Sequence, residues 1–132
     1  MNLIKRLLNL LEERDRLEEK VRALRDELFK ILDEHKWDVE YVRANNMYLN
    51  YRYVLNKAKM RYHYYYLVIR DRRGNLKKNM YLGKLTGKEL EKVKILIKDF
   101  RRAKGLLKEL RRAKRELEGI EGKMRRIEKL LS

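Results

Sequence analysis

Apolar side chains recur along the first 35 residues at alternating steps of three and four. One series is Leu7, Arg14, Val21, Leu28 and His35; the other is Leu3, Leu10, Leu17, Leu24 and Ile31. Such spacing keeps one seam on one side of a helix and is the coiled-coil pattern. It predicts a helix over 3–35. Glu12–Arg16, Glu18–Arg22 and Asp26–Lys30 add acid-first pairs one helical turn apart, the favourable orientation. Ile4, Leu8, Leu11 and Leu32 widen the stripe, as expected where more than two helices meet. Arg14 interrupts the seam. It either sets register and partner choice or carries its charge out to water on a long stem.

The pattern weakens at His35–Asp38. Val39, Tyr41 and Val42 suit either more helix or the start of a strand, and Asn45-Asn46 suits a turn, because Asn tolerates positive φ. From Met47 the period becomes two: Met47, Leu49, Tyr51, Tyr53 and Leu55 alternate with Tyr48, Asn50, Arg52 and Val54. This reads as a strand, and Asn56–Lys59 as a connection. Arg61–Arg70 and Leu76–Leu82 then form a hairpin around Asp71-Arg72-Arg73-Gly74, with Gly74 left-handed and Asp71 opposite Asn75. In that register Tyr64, Tyr66, Val68, Leu76, Met80 and Leu82 make the core face. Arg61, His63, Tyr65, Lys77, Asn79 and Tyr81 make the binding face. Leu67 and Ile69 fall on the binding face and fit it poorly; a slip of one residue exchanges the two faces.

Gly83 ends the strand, and Thr86 with Glu89 forms a capping box for a second long helix. Leu90, Val93, Ile97 and Phe100 are expected to pack on the sheet. A second heptad follows: Ala103, Leu106, Leu110, Ala113, Leu117, Ile120, Met124, Ile127 and Leu131. Its phase shifts near Gly105, a discontinuity that changes supercoiling locally. The two heptad stretches, 3–35 and 103–131, each span roughly 45 Å at 1.5 Å per residue. Matching lengths suit an antiparallel stalk. The wide stripe favours a homodimer made through Leu7, Leu10, Leu17, Val21, Leu24, Leu28, Leu110, Leu117, Ile120, Met124, Ile127 and Leu131.

The expected fold is therefore α+β: long N-terminal and C-terminal coiled-coil helices flanking an antiparallel sheet of three to four strands. The segments are 1–36, a head over 37–85, and 86–132, in one structural domain. With 132 residues, one domain is the natural size. There is no cysteine, which excludes disulfides and thiolate metal sites. Proline and glutamine are absent and charged residues make up 42 %, a composition expected of a hyperthermophilic, archaeal or viral source. The N-terminus does not read as a signal peptide, and no stretch reaches the ~20 apolar residues of a membrane span. A cytoplasmic location is expected, with nucleoid association as an option within it and no membrane partner.

Charge is distributed unevenly. Residues 1–36 are neutral overall, whereas Met47–Leu85 holds ten basic side chains against Asp71 alone and so carries +9 of the total +16. Eight of the nine tyrosines lie in the same stretch. Cations meet phosphates and rings stack on bases, so the expected partner is nucleic acid. The candidate nucleic-acid-binding residues are Arg52, Arg61, His63, Tyr65, Arg72, Arg73, Lys77, Lys78, Tyr81 and Lys84. The structural alternative is that tyrosines, good strand formers, simply fill a small core. Lys108, Arg111, Arg112, Lys114 and Arg115 either extend a phosphate track or form a solvated face.

Enzyme chemistry is not expected, and no catalytic residue, cofactor or metal site is assigned. Acids are almost absent from the basic stretch, whereas a metal-dependent nuclease needs several converging carboxylates. His35 sits in the helical seam and reads as a packed or partner-bonded side chain. Gly83-Lys84-Leu85-Thr86-Gly87 is too short and mis-spaced for a phosphate loop.

The run Tyr64-Tyr65-Tyr66-Leu67-Val68, then Arg73-Gly74-Asn75-Leu76-Lys77-Lys78, then Tyr81-Leu82-Gly83-Lys84-Leu85 resembles a hairpin of uncharacterised archaeal proteins and of some insertion-sequence transposases. Asn75 stands where those hairpins usually have Lys, and no transposase catalytic acids are found. The resemblance covers about 25 residues, counting within 62–85, and implies DNA-associated company. In layout alone the chain is similar to the ThermoDBP single-strand DNA-binding proteins. The expected function is non-catalytic nucleic-acid binding, single-stranded DNA or RNA before duplex. A structural or assembly role is the alternative, since the layout also resembles prefoldin-type chaperone subunits. A virus- or plasmid-encoded duplex-DNA regulator is the third reading.

Overall fold

The computed structural model describes residues 2–55 and 61–132. The elements run α1 (Leu3–His35), α2 (Val39–Ala44), β1 (Asn45–Leu55), β2 (Arg61–Asp71), β3 (Leu76–Gly83) and α3 (Gly87–Leu131). The fold is α+β, with long helices flanking one antiparallel sheet in the order β1-β2-β3. The expected connection at Asn56–Lys59 lies outside the described residues.

Two compact units divide the chain: Leu32–Lys104, and Met1–Ile31 with Gly105–Ser132. The helical unit buries the seam residues Val21, Leu24, Leu28, Leu106, Leu110, Ala113, Ile120, Met124 and Ile127 within a single chain. Leu7, Leu10, Leu17 and Leu117 are half-buried, and Leu131 is exposed. The two heptad stretches thus fill each other's seam in cis. Removing the valine, leucine, isoleucine and methionine side chains among them from water is worth about 1.5–3 kcal/mol each. Arg14 reaches Asp15 and Glu18 at 3.9 and 3.8 Å with its side chain one-third exposed, while its Nε is buried without a hydrogen-bond partner, so only part of the guanidinium reaches water. Ile4 and Leu8 remain 60 % and 55 % exposed.

In the sheet unit, α1 ends without glycine. Lys36 adopts φ 55°, and the amides of Lys36 and Trp37 donate back to the carbonyls of Asp33 and Leu32. This is a Schellman stop. Asp38 then caps α2, its carboxylate accepting from the Tyr41 amide at 2.7 Å. The undecided Val39–Val42 stretch is therefore a separate short helix. The expected turn at Asn45-Asn46 does not form. Asn45 has φ −125°, ψ 161° and opens β1, while its side-chain amide donates to the Tyr41 carbonyl. A side chain able to close a turn instead closes the end of α2.

The hairpin turn forms as expected. The Asp71 amide donates to the Asn75 carbonyl at 2.9 Å, the Gly74 amide donates to the Asp71 carbonyl at 3.0 Å, and Gly74 takes φ 85°. The face assignment is corrected. Pairing runs Arg70–Leu76 and then Ile69–Lys78, so Lys77 is an extra residue in a β-bulge; a second irregularity lies between Tyr66–Tyr81 and Tyr65–Gly83. With β1, the register is Met47–Ile69 and Leu49–Leu67. Met47, Leu67 and Ile69 are buried and belong to the face that α3 covers through Ile97. The misfit of Leu67 and Ile69 on a binding face thus marks them as core. Val68, on the other face, is buried as well.

The Thr86 cap is present. Its hydroxyl accepts from the Glu89 amide at 3.2 Å and donates to the Glu89 carboxylate at 3.0 Å. Helix α3 continues without a break through Gly105, and the division between the two units falls there. Ile97, Phe100 and Ala103 are buried in the sheet unit, and Leu106 and Leu110 in the helical one. The change of heptad phase marks where the helix changes partners. Lys104 donates to the carbonyls of Val42 and Asn45 at 3.2 and 2.7 Å, joining α3 to the α2–β1 junction.

Candidate nucleic-acid interface

The bulge at Lys77 shifts the alternation of β3 by one residue, which places Tyr81 beside Tyr66. On the face opposite Met47, Leu67 and Ile69, the Tyr81 ring lies 5.3 Å from Tyr66 and stacks with Tyr64 at 6.3 Å and 25°. Two cations complete this patch: the Arg52 guanidinium is 5.7 Å from the Tyr66 ring centre, and the Lys84 ammonium 5.8 Å from that of Tyr64. Both distances suit cation–π attraction. Tyr81 is 59 % exposed and Tyr48, on the same face, 39 %. Gly83, with φ 73°, turns the chain just after Tyr81, in a region that side chains with a β-carbon rarely adopt.

A second aromatic group lies on the α3 side. Tyr51 and His63 stack at 5.3 Å and 16°, and Tyr65 sits 6.2 Å from Tyr51 and 6.3 Å from His63. The sequence-derived site therefore divides. Arg52, Tyr81 and Lys84 share the outer face; His63 and Tyr65 occupy the inner one. Sequence reasoning missed Tyr64 and Tyr66 as partners of Tyr81, having assigned them to the core face. A bulge is a backbone feature with no residue type of its own, but the apolar pair Leu67 and Ile69 carried the signal.

The remaining cations lie elsewhere. Arg72 donates to the Arg43 carbonyl at 3.0 Å. Arg73 is exposed at the turn, and Lys77 and Lys78 are exposed on β3. The Arg61 side chain lies outside the described residues. Asp71 organises the turn by accepting from the Arg73 and Asn75 amides, both at 2.9 Å. Hydrogen bonding from Asn75, first of all, holds its carboxyl below the usual carboxylate range. Lys108, Arg111, Arg112, Lys114 and Arg115 are all exposed on α3.

His35 is partner-bonded as expected. Its Nε2 is 2.8 Å from an Asp99 carboxylate oxygen, and its ring stacks on Trp37 at 4.2 Å. Trp37 in turn meets Phe100 edge-on at 5.2 Å. Glu34 lies close enough to join His35 and Asp99 in a trio of donor groups, but the His35–Asp99 pair already uses the imidazole Nε2. No described helix is long and apolar enough to cross a membrane. No family model, curated protein or solved structure matches the chain.

Proposed function

We propose that this protein binds nucleic acid without catalysis, through the outer face of its sheet. The observation that carries the reading is the Tyr64–Tyr66–Tyr81 cluster with Arg52 and Lys84 set against its rings. Flat rings offer stacking surface to any base, while the cations supply charge for the backbone beside it. Tyrosines serving only as core would be covered, yet Tyr81 is among the most exposed large side chains. A single strand is the preferred ligand, because its bases are free to leave their own stack; RNA fits the same chemistry as DNA. Arg73, Lys77 and Lys78 add charge that is not sequence-specific. The test is fluorescence anisotropy with a labelled single strand, a duplex of the same sequence and an RNA copy at two salt concentrations. Salt-sensitive binding lost in Tyr81→Ala supports the reading, and no binding to any of the three at low salt rejects it. Preference for one duplex sequence would select the regulator reading instead.

A second reading has its own observation. Ile4, Leu8 and Leu130 are 60 %, 55 % and 69 % exposed on the helical unit. Exposed leucines and isoleucines suit assembly through the helices, as a homodimer or as a prefoldin-like chaperone holding apolar clients. Self-association without any nucleic-acid affinity would favour it.

A further inference from the structure

A cavity of about 740 Å³ opens within the sheet unit, on the face opposite the Tyr81 cluster. That volume lies within the about 300–1,000 Å³ typical of small-molecule sites. Its floor is apolar: Met47, Leu67 and Ile69 from the sheet and Leu96 from α3. Trp37 and Tyr41 form one wall, and Met80 borders it from β3 while 37 % exposed. The charged side chains lining it are Lys77, Lys78 and Asp71. The Asp71 carboxylate is engaged by the turn amides, and the two lysines are exposed.

We propose that this cavity binds one small amphipathic anion, a long-chain carboxylate, with the tail on the apolar floor and the head group at Lys77 and Lys78. The apolar floor excludes a free nucleotide base, whose ring nitrogens and carbonyls would lose their hydrogen bonds to water there. The lysines select an anion over a neutral alcohol or alkane. Lys77 and Lys78 against Asp71 leave a net charge of +1 at the cavity, which attracts an anionic head group. The bulge supplies this arrangement, because the extra residue is itself Lys77. A second copy of this chain is a poor occupant, since each copy carries +16. The tyrosine cluster of the nucleic-acid reading lies on the other face, and the two readings share only Lys77 and Lys78.

Trp37 is the single tryptophan of the chain and lines the cavity, so its emission reports on occupancy. The probe is sodium dodecanoate, titrated below its micellar concentration, with dodecanol and octanoate in parallel. The expected result is a saturable change in Trp37 emission, with dodecanoate binding at least about tenfold more tightly than dodecanol. Each buried methylene should strengthen binding about fourfold, so octanoate binds far more weakly. Ala44→Leu adds bulk at the wall from an exposed position without changing charge, and should weaken dodecanoate about tenfold or more while leaving oligonucleotide affinity unchanged. Lys77→Gln with Lys78→Gln should abolish the preference for the anion over the alcohol. Met80→Glu, at a partly exposed position, gives a second block. The proposal is overturned by an absence of saturable response, by dodecanol binding as tightly, or by Ala44→Leu and Met80→Glu both binding as the unaltered chain does.

Discussion

At the scale of single residues, the chemistry rests on which rings face out. Tyr81 stacks with Tyr64 and meets Tyr66 on the outer face. If bases stack there, Tyr81→Ala removes about 1–3 kcal/mol per stacked base. Anisotropy should then show single-strand affinity lower by about fivefold to a hundredfold. Tyr65→Ala, on the opposite face, should change it by about twofold or less, as expected of an independent site. Asp71 gives a prediction with a sign. Its carboxyl is held low in the folded chain, so its contribution to the turn is present above the unfolded value of about 3.9. That contribution is lost as pH falls through the lower folded value. The amide resonances of Arg73 and Asn75 should move together in that acid range, and Asp71→Ala should leave them pH-independent there. The tyrosine-rich, basic character of the site was legible because it is compositional. Its division into two faces was not, because alternation assigns faces only until a bulge intervenes, and Lys77 looks like any other strand lysine.

At the scale of elements, the helices were the legible part. A heptad is a long, redundant signal, so Arg14 or one exposed leucine does not erase it, and α1 covers the 3–35 stretch that the pattern marks. The capping box was legible because Thr86 and Glu89 supply both groups themselves. Thr86→Ala should therefore cost about 1 kcal/mol of stability. Leu106 is fully buried in the seam of the helical unit, and Leu106→Ala should cost about 2–5 kcal/mol. Denaturant melts of both variants check these values, with the larger loss at Leu106. The stretch between α1 and β1 was illegible for a different reason. Its helix stop is a left-handed Lys36, a conformation that glycine would advertise and lysine does not. Asn45 could serve a turn or a helix end, and only the nearby Tyr41 carbonyl decides between them.

At the scale of the whole molecule, charge is the dominant property. The stretch Met47–Leu85 carries +9 of the total +16, whereas residues 1–36 are neutral. Stability alone does not require such an imbalance, and like charges held close together repel. A polyanion relieves that repulsion and releases its counterions, which makes salt the natural variable. The helical seam, being filled within one chain, does not itself require a second copy; the exposed Ile4 and Leu8 are where one would add contacts. Sedimentation of the Ile4→Ser/Leu8→Ser variant beside the unaltered chain tests that contribution, with a fall in mass expected if a dimer forms there. The most direct test of the central claim is the affinity of a labelled single strand measured against salt. The account predicts a log–log slope on the order of −0.7 for each phosphate engaged, so roughly −3 if four cations are used, with affinity falling at every salt concentration in Tyr81→Ala. A single strand that does not bind even at low salt, or that binds equally well without Tyr81, would contradict it.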